Sequence, residues 1–257
     1  MIHLKSKHEL ETMREAGRHV GEILLVLRQL AEPGVTTAEI DRAARQEIRN
    51  RNLESSFLGY SPGGAPPYPA VICTSVNAEI VHGIPGKRQL VDGDLLKLDF
   101  GVLYGGFHGD SAVTIPIGRA SEESRQLIDA TRRSMYAGIK RMCPGNRLGD
   151  VGHAVQEVAE AEGFAVVRDF VGHGVGRDLH EPPQLPNFGR PGRGQRLRAG
   201  MVLAIEPMVN LGSPGVEIRD DGWTAQTADG ERSCHFEHTV AITDNGPEIL
   251  TQVSGSH

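Results

Sequence analysis

Four carboxylates and one imidazole carry the clearest chemical potential in this chain: Asp99, Asp110, His173, Glu206 and Glu237. They read as standing at strand ends or turns. Three have strongly apolar neighbours, in Leu98-Asp99-Phe100, Ile205-Glu206-Pro207 and Phe236-Glu237. Carboxylates are rarely buried unless they are paired or bound to a metal. Four of them brought together repel, and their pKa values rise. A pair of divalent cations converts that repulsion into binding. An oxygen-rich set with a single imidazole suits two metals that share bridging carboxylates. It does not suit a structural zinc site, which wants several cysteines or histidines. Taken singly, Asp99 and Asp110 also read as turn residues, and Glu206 and Glu237 as half-exposed strand residues. Their joint placement favours the metal reading.

Of eleven histidines, His8, His19, His153 and His257 sit in helical or terminal polar contexts and read as solvated. His82 and His173 each precede a glycine and a β-branched residue. His180 follows His173 across a glycine-rich loop. His82 and His180 acquire a role only if they lie beside the carboxylates.

The elements that must position these groups repeat. Ser6 to Glu9 and Thr36 to Glu39 read as capping boxes that open two helices, the first ending at Pro33-Gly34. A long helix from about Ser121 to Met142, Pro144-Gly145 and a shorter helix closing near Gly163 repeat the order. The run Gly93 to Asp99 matches Gly200 to Glu206: a glycine, a β-like stretch, then a carboxylate. His82-Gly83-Ile84 matches His173-Gly174-Val175, and Phe107 to Asp110 resembles Cys234 to Glu237 more loosely. Tyr104-Gly105-Gly106 reads as a hairpin turn. The stretches Ser61 to Pro69 and Pro183 to Gly200 read as loops. The pattern predicts one α+β domain over 1–257 with two pseudo-symmetric halves, about 1–115 and 116–251, and a frayed tail at 252–257.

A net charge of −6 argues against a general nucleic-acid binder, so DNA is not an expected partner. Cys73, Cys143 and Cys234 show neither a disulfide framework nor metal-ligand spacing. The first residues lack an apolar signal core, and no stretch is long and apolar enough to span a bilayer. The expectation is a cytoplasmic protein without a membrane partner.

The series His82-Gly83-Ile84-Pro85, Leu98-Asp99-Phe100-Gly101, Gly109-Asp110-Ser111, Gly172-His173-Gly174-Val175-Gly176, Ile205-Glu206-Pro207 and Glu237-His238-Thr239 closely resembles the bacterial type I methionine aminopeptidases. The match runs from the first helix to Glu248-Ile249-Leu250-Thr251. The resemblance implies the pita-bread fold, an antiparallel sheet covered by helices with internal two-fold pseudo-symmetry. It implies that Asp110 and Glu237 bridge two divalent ions (cobalt, manganese, iron or zinc). Asp99 completes one site, and His173 and Glu206 the other. Water activated by the metals attacks the first peptide carbonyl, Glu206 serves as general base, His180 contacts the carbonyl, and His82 lies near the scissile nitrogen. Tyr60, Tyr68, Cys73, Leu179 and Trp223 match the lining of a methionine pocket. The implied substrate is the N-terminal methionine of nascent chains with a small second residue. The implied enzyme is a monomer, with the ribosome near its exit tunnel as a partner.

Phe57 and Leu179 stand where bacterial relatives carry cysteine and phenylalanine. His235 replaces a commoner glutamine, and 61–67 is longer than the usual loop between the pocket tyrosines. Two rival readings are a proline-directed peptidase of the same fold and a non-catalytic module of that fold. The rivals respectively carry an additional N-terminal domain or lose metal ligands.

Overall fold

The computed structural model describes residues 2–254, so His257 and part of the expected 252–257 tail lie outside the described residues. Helix α1 (Lys7–Leu30) opens as its local sequence dictates. The Ser6 hydroxyl accepts the Glu9 amide, and the Glu9 carboxylate accepts the Ser6 amide. Thr36 and Glu39 repeat the device at α2 (Thr37–Asn50). A short β1 (Glu54–Ser55) and a 3-10 turn at Pro62–Gly64 lead to β2 (Cys73–Val76) and β3 (Glu79–Val81). Strands β4 (Leu95–Tyr104) and β5 (Phe107–Pro116) form a long hairpin. Gly105 and Gly106 turn it with φ of 57° and 79°, a two-residue conformation that a side chain disfavours.

The chain then makes α3 (Glu122–Ile139), capped by Ser121 and ending short of the expected Met142, and α4 (Leu148–Ala161). Next come β6 (Ala165–Val166), β7 (Gly172–Gly174), β8 (Glu181–Leu185) and β9 (Val202–Ile205). The remaining strands are β10 (Met208–Asn210), β11 (Val216–Ile218), β12 (Ala225–Thr227), β13 (Ser233–His235), β14 (Glu237–Thr243) and β15 (Gly246–Ile249). The expected 183–200 loop therefore begins later, because Glu181–Leu185 pairs with β7. At the sheet edge, a proline without an N–H is tolerated.

The central sheet runs β1-β4-β5-β14-β9-β7-β8, with β2 on β4 and β15 on β14, all antiparallel. Alternation along β4 sorts its faces. Leu96, Leu98, Phe100 and Val102 pack with Val20, Ile23 and Ile40 of α1 and α2. The opposite side is left to Lys97, Asp99 and Gly101. Helices α3 and α4 cover a second core, where Leu127, Met135 and Val151 join Ile205 of β9. Each such side chain contributes about 2 kcal/mol by leaving water. Helix α1 approaches the sheet closely: a Cβ on Gly17 would stand 2.4 Å from the Leu250 carbonyl oxygen. Among the described residues, no helix is long and apolar enough to cross a membrane.

Candidate metal centre

Strand register gathers the five predicted ligands. Asp99 on β4 pairs with Ala112 on β5, and Ala112 pairs with Glu237 on β14. Asp110 lies two residues before Ala112 and so shares its face. Ile205 of β9 pairs with His238, which carries Glu206 toward Glu237, and His173 of β7 pairs with Ala204. The small Ala112 stands at the centre of this row. Gly101, opposite Asp110, is small for the same reason: a Cβ there would lie 3.2 Å from Asp110 Oδ1 and 3.0 Å from the Phe57 ring. Asp99 and Asp110 are thus interior strand residues, not the strand ends or turns expected. Burial of Leu98 and Phe100 on one side forces Asp99 to the other. Glu237 is buried, not half-exposed.

One ligand atom each from Asp110, His173 and Glu237 lie within 4.8 Å of one another. His173 Nε2 is 4.0 Å from Asp110 Oδ2 and 3.5 Å from Glu206 Oε1, which brings Glu206 into the group. Asp99 stands farther along the row and lines the same cavity. The Nδ1 of His173 donates to the Gly174 carbonyl at 2.9 Å, leaving the Nε2 lone pair for the carboxylate cluster. Burial pulls its pKa down to about 3, with repulsion from His180 adding.

The carboxylates behave as a buried cluster of like charge. Burial lifts Asp99 to about 7. Burial first, then the neighbouring acids, lifts Asp110, Glu206 and Glu237 well above the usual carboxylate range. Asp99 Oδ1, Asp110 Oδ1 and Glu237 Oε1 are buried with no hydrogen-bond partner among the described residues. Acceptor atoms without donors, crowded against a neutral imidazole, fit divalent cations.

These groups form one wall of a cavity of about 390 Å³. His82 and His180 also line it, both held neutral by burial, with pKa values of about 4. Tyr60 Oη lies 2.6 Å from His180 Nδ1, and the His173 and His180 ring centres are 4.1 Å apart. His82 holds φ at 60° and sets its ring edge-on to Phe170 and Trp223.

The apolar side comprises Phe57, Tyr68, Cys73, Leu179 and Trp223. Backbone hydrogen bonds close the base of the loop that joins the two tyrosines. Tyr68 N donates to the Tyr60 carbonyl at 2.9 Å, Gly59 N to the Tyr68 carbonyl at 2.8 Å, and Trp223 Nε1 to the Pro66 carbonyl at 2.9 Å. Residues 61–67 lie beyond this closed base. Sequence reasoning missed Val81 and Phe170 in this wall, and no local signal marks them. It also missed Lys97, a fully buried ammonium that donates to the Asn77 and Ser233 carbonyls at 2.7 and 2.9 Å. His19, read as solvated, is half-buried against Tyr104.

The sequence pattern of metallopeptidase family M24 matches residues 11–244. The chain belongs to metallopeptidase family M24. This M24 chain is 51% identical over 253 residues to a methionine aminopeptidase of Clostridium perfringens, covering 98% of this chain and 100% of the relative. It is 48% identical to methionine aminopeptidase 1 of Bacillus subtilis, with the same 98% and 100% coverage. The crystal structure of methionine aminopeptidase from Thermotoga maritima matches with a TM-score of 0.94 at 46% identity, covering 98% of this chain and 100% of that one. The curled antiparallel sheet and its four helices are the pita-bread fold that the sequence resemblance implied. Membership in M24 implies use of divalent metal, to which the carboxylate–imidazole cluster is suited.

Proposed function

We propose that this M24 chain is a methionine aminopeptidase. It hydrolyses the first peptide bond of chains that begin with a free methionine and carry a small second residue. One observation carries the reading: a single cavity joins a wall of four acids and an imidazole to an apolar wall of Phe57, Tyr68, Cys73, Leu179 and Trp223. Its relatives in M24 bear that name.

In this reading Asp110 and Glu237 would be ligands to two divalent ions. Asp99, His173 and Glu206 would complete the set of residues that holds them. When bound, the ions (cobalt, manganese, iron or zinc) supply Lewis-acid activation of water and polarisation of the carbonyl. Glu206 accepts the proton of the attacking water and passes it to the leaving amine. A Tyr60 hydroxyl donating to Nδ1 of His180 leaves the ring proton on Nε2, available to the carbonyl oxygen as negative charge develops there. His82 lies on the side of the scissile nitrogen. Tyr60, Tyr68, Cys73, Leu179 and Trp223 receive the methionine side chain. Phe57 and Leu179 alter the shape of that wall and keep it apolar.

The catalytic unit is one domain of two halves, about 1–115 and 116–251. Each half opens with a long and a short helix and supplies strands to the metal wall. Nascent chains in the cytoplasm, near the ribosomal exit tunnel, are the substrate pool, and the enzyme acts as a monomer. Cosedimentation with ribosomes and light scattering test those two points. The activity itself is tested with peptides beginning Met-Ala, Met-Gly, Met-Lys and Ala-Pro. Release of methionine from the first two, with Met-Lys poorly cleaved, is expected. Equal cleavage of Met-Lys, or turnover of Ala-Pro alone, overturns the reading.

A further inference from the structure

Glu206 has two imidazoles beside it. His173 Nε2 approaches Oε1 at 3.5 Å and lines the cavity. His235 Nε2 approaches Oε2 at 3.7 Å, is only 1% exposed and does not line the cavity. Neither ring nitrogen of His235 has a hydrogen-bond partner among the described residues. Its backbone is fixed: its amide donates to Thr114 Oγ1 at 2.9 Å, and its carbonyl accepts from the same hydroxyl at 2.6 Å. Strand β13 sets His235 opposite Met208, two residues past Glu206. Its neighbours Cys234 and Phe236 turn into the α3–α4 core, which leaves the imidazole pointing to the metal wall.

A neutral imidazole carries one N–H, and a buried donor without an acceptor is costly. Glu206 Oε2 is a few tenths of an ångström beyond hydrogen-bond reach. A small rotation of the carboxylate closes the gap, and such bonds commonly tighten when a site is loaded. We propose that His235 is a positioning residue for Glu206, donating from Nε2 to Oε2 in the metal-loaded enzyme. The inference rests on the role given to Glu206 above. The donor holds one oxygen of the base while the other faces His173. The Glu206 main chain is held separately, its carbonyl accepting from Asn187 Nδ2 at 3.0 Å. A glutamine here would also carry an N–H donor, so the proposed contact asks for a donor and not for an imidazole as such.

The test titrates metal-free protein with Co²⁺ by calorimetry and visible spectroscopy, and measures kcat and KM on a Met-Ala peptide. The proteins are the unmodified enzyme, His235→Gln and His235→Leu. His235→Leu should lose about 10–100-fold in Co²⁺ affinity, with kcat falling at steady KM, while His235→Gln stays within about threefold of the unmodified enzyme. Unchanged Co²⁺ affinity in His235→Leu overturns the inference. So does an equal loss in His235→Gln, which would make the imidazole itself a ligand. If His235→Leu does not fold, His235→Met takes its place under the same criteria. Failure of the unmodified enzyme to bind Co²⁺ or cleave Met-Ala overturns the peptidase reading instead.

Discussion

The Tyr60 hydroxyl and His180 Nδ1 lie 2.6 Å apart, with the two rings stacked at 5.2 Å. With the hydroxyl donating, that contact leaves the ring proton of His180 on Nε2. Removing the hydroxyl in Tyr60→Phe leaves the stacking and frees the tautomer. A drop of about tenfold in kcat/KM on Met-Ala, about 1.4 kcal/mol, is expected, with the melting temperature unchanged. Full activity in Tyr60→Phe would take the hydroxyl out of the mechanism.

Glu206→Gln keeps the shape of the side chain and removes its basicity. Turnover should fall by at least about 100-fold, the usual yield of a positioned general base. Circular dichroism should show the same fold. Activity near that of the unmodified enzyme would remove Glu206 from the role of base.

Metal removal should make stability depend on pH in a defined window. Asp99 is raised from 3.8 to about 7 in the folded state, and three neighbouring acids are also raised well above the usual carboxylate range. A carboxyl raised on folding contributes stability that is lost as pH climbs through its folded pKa. The buried imidazoles of His82, His173, His180 and His235 are pulled down from 6.5 to about 4 or 3 and act in the opposite sense, but only below 6.5. Above that value the acids act without them. Chelator-treated protein should therefore melt at progressively lower temperature from about pH 6.5 to 8, and added Mn²⁺ or Co²⁺ should restore most at the alkaline end. A flat or rising profile for the metal-free protein contradicts the clustering.

Gly17 sits where α1 meets the end of the chain, its ideal Cβ position 2.4 Å from the backbone oxygen of Leu250. Backbone cannot yield as a side-chain tip can. Gly17→Ala should cost about 1–3 kcal/mol in urea denaturation. An unchanged midpoint would show that α1 shifts freely.

Features set by neighbouring residues were legible in the sequence. Ser6 and Glu9 cap one another, Thr36 and Glu39 do the same, and Gly105-Gly106 turns the hairpin. The five candidate ligands were legible as types, because acids beside Leu98, Phe100 and Ile205 need a buried partner. Their positions were less so. Asp99 and Asp110 look like turn residues locally, and only pairing with β14, more than a hundred residues on, makes them a mid-sheet row. Lys97 reads as a solvated charge in any short window. It is buried because two carbonyls, one from residue 233, come to meet it. Glu181–Leu185 reads as a loop for its prolines and becomes a strand only through β7.

Strand β14 lies between β5 and β9, in the middle of the large sheet, yet it is the second-last strand of the chain. Until it is made, the hairpin bearing Asp99 and Asp110 and the strands bearing His173 and Glu206 have no shared edge. An unfinished copy emerging from synthesis would hold two separate half-walls and lack Glu237. An enzyme that removes the first residue of other chains must itself be made almost to its last strand before its own metal wall can close.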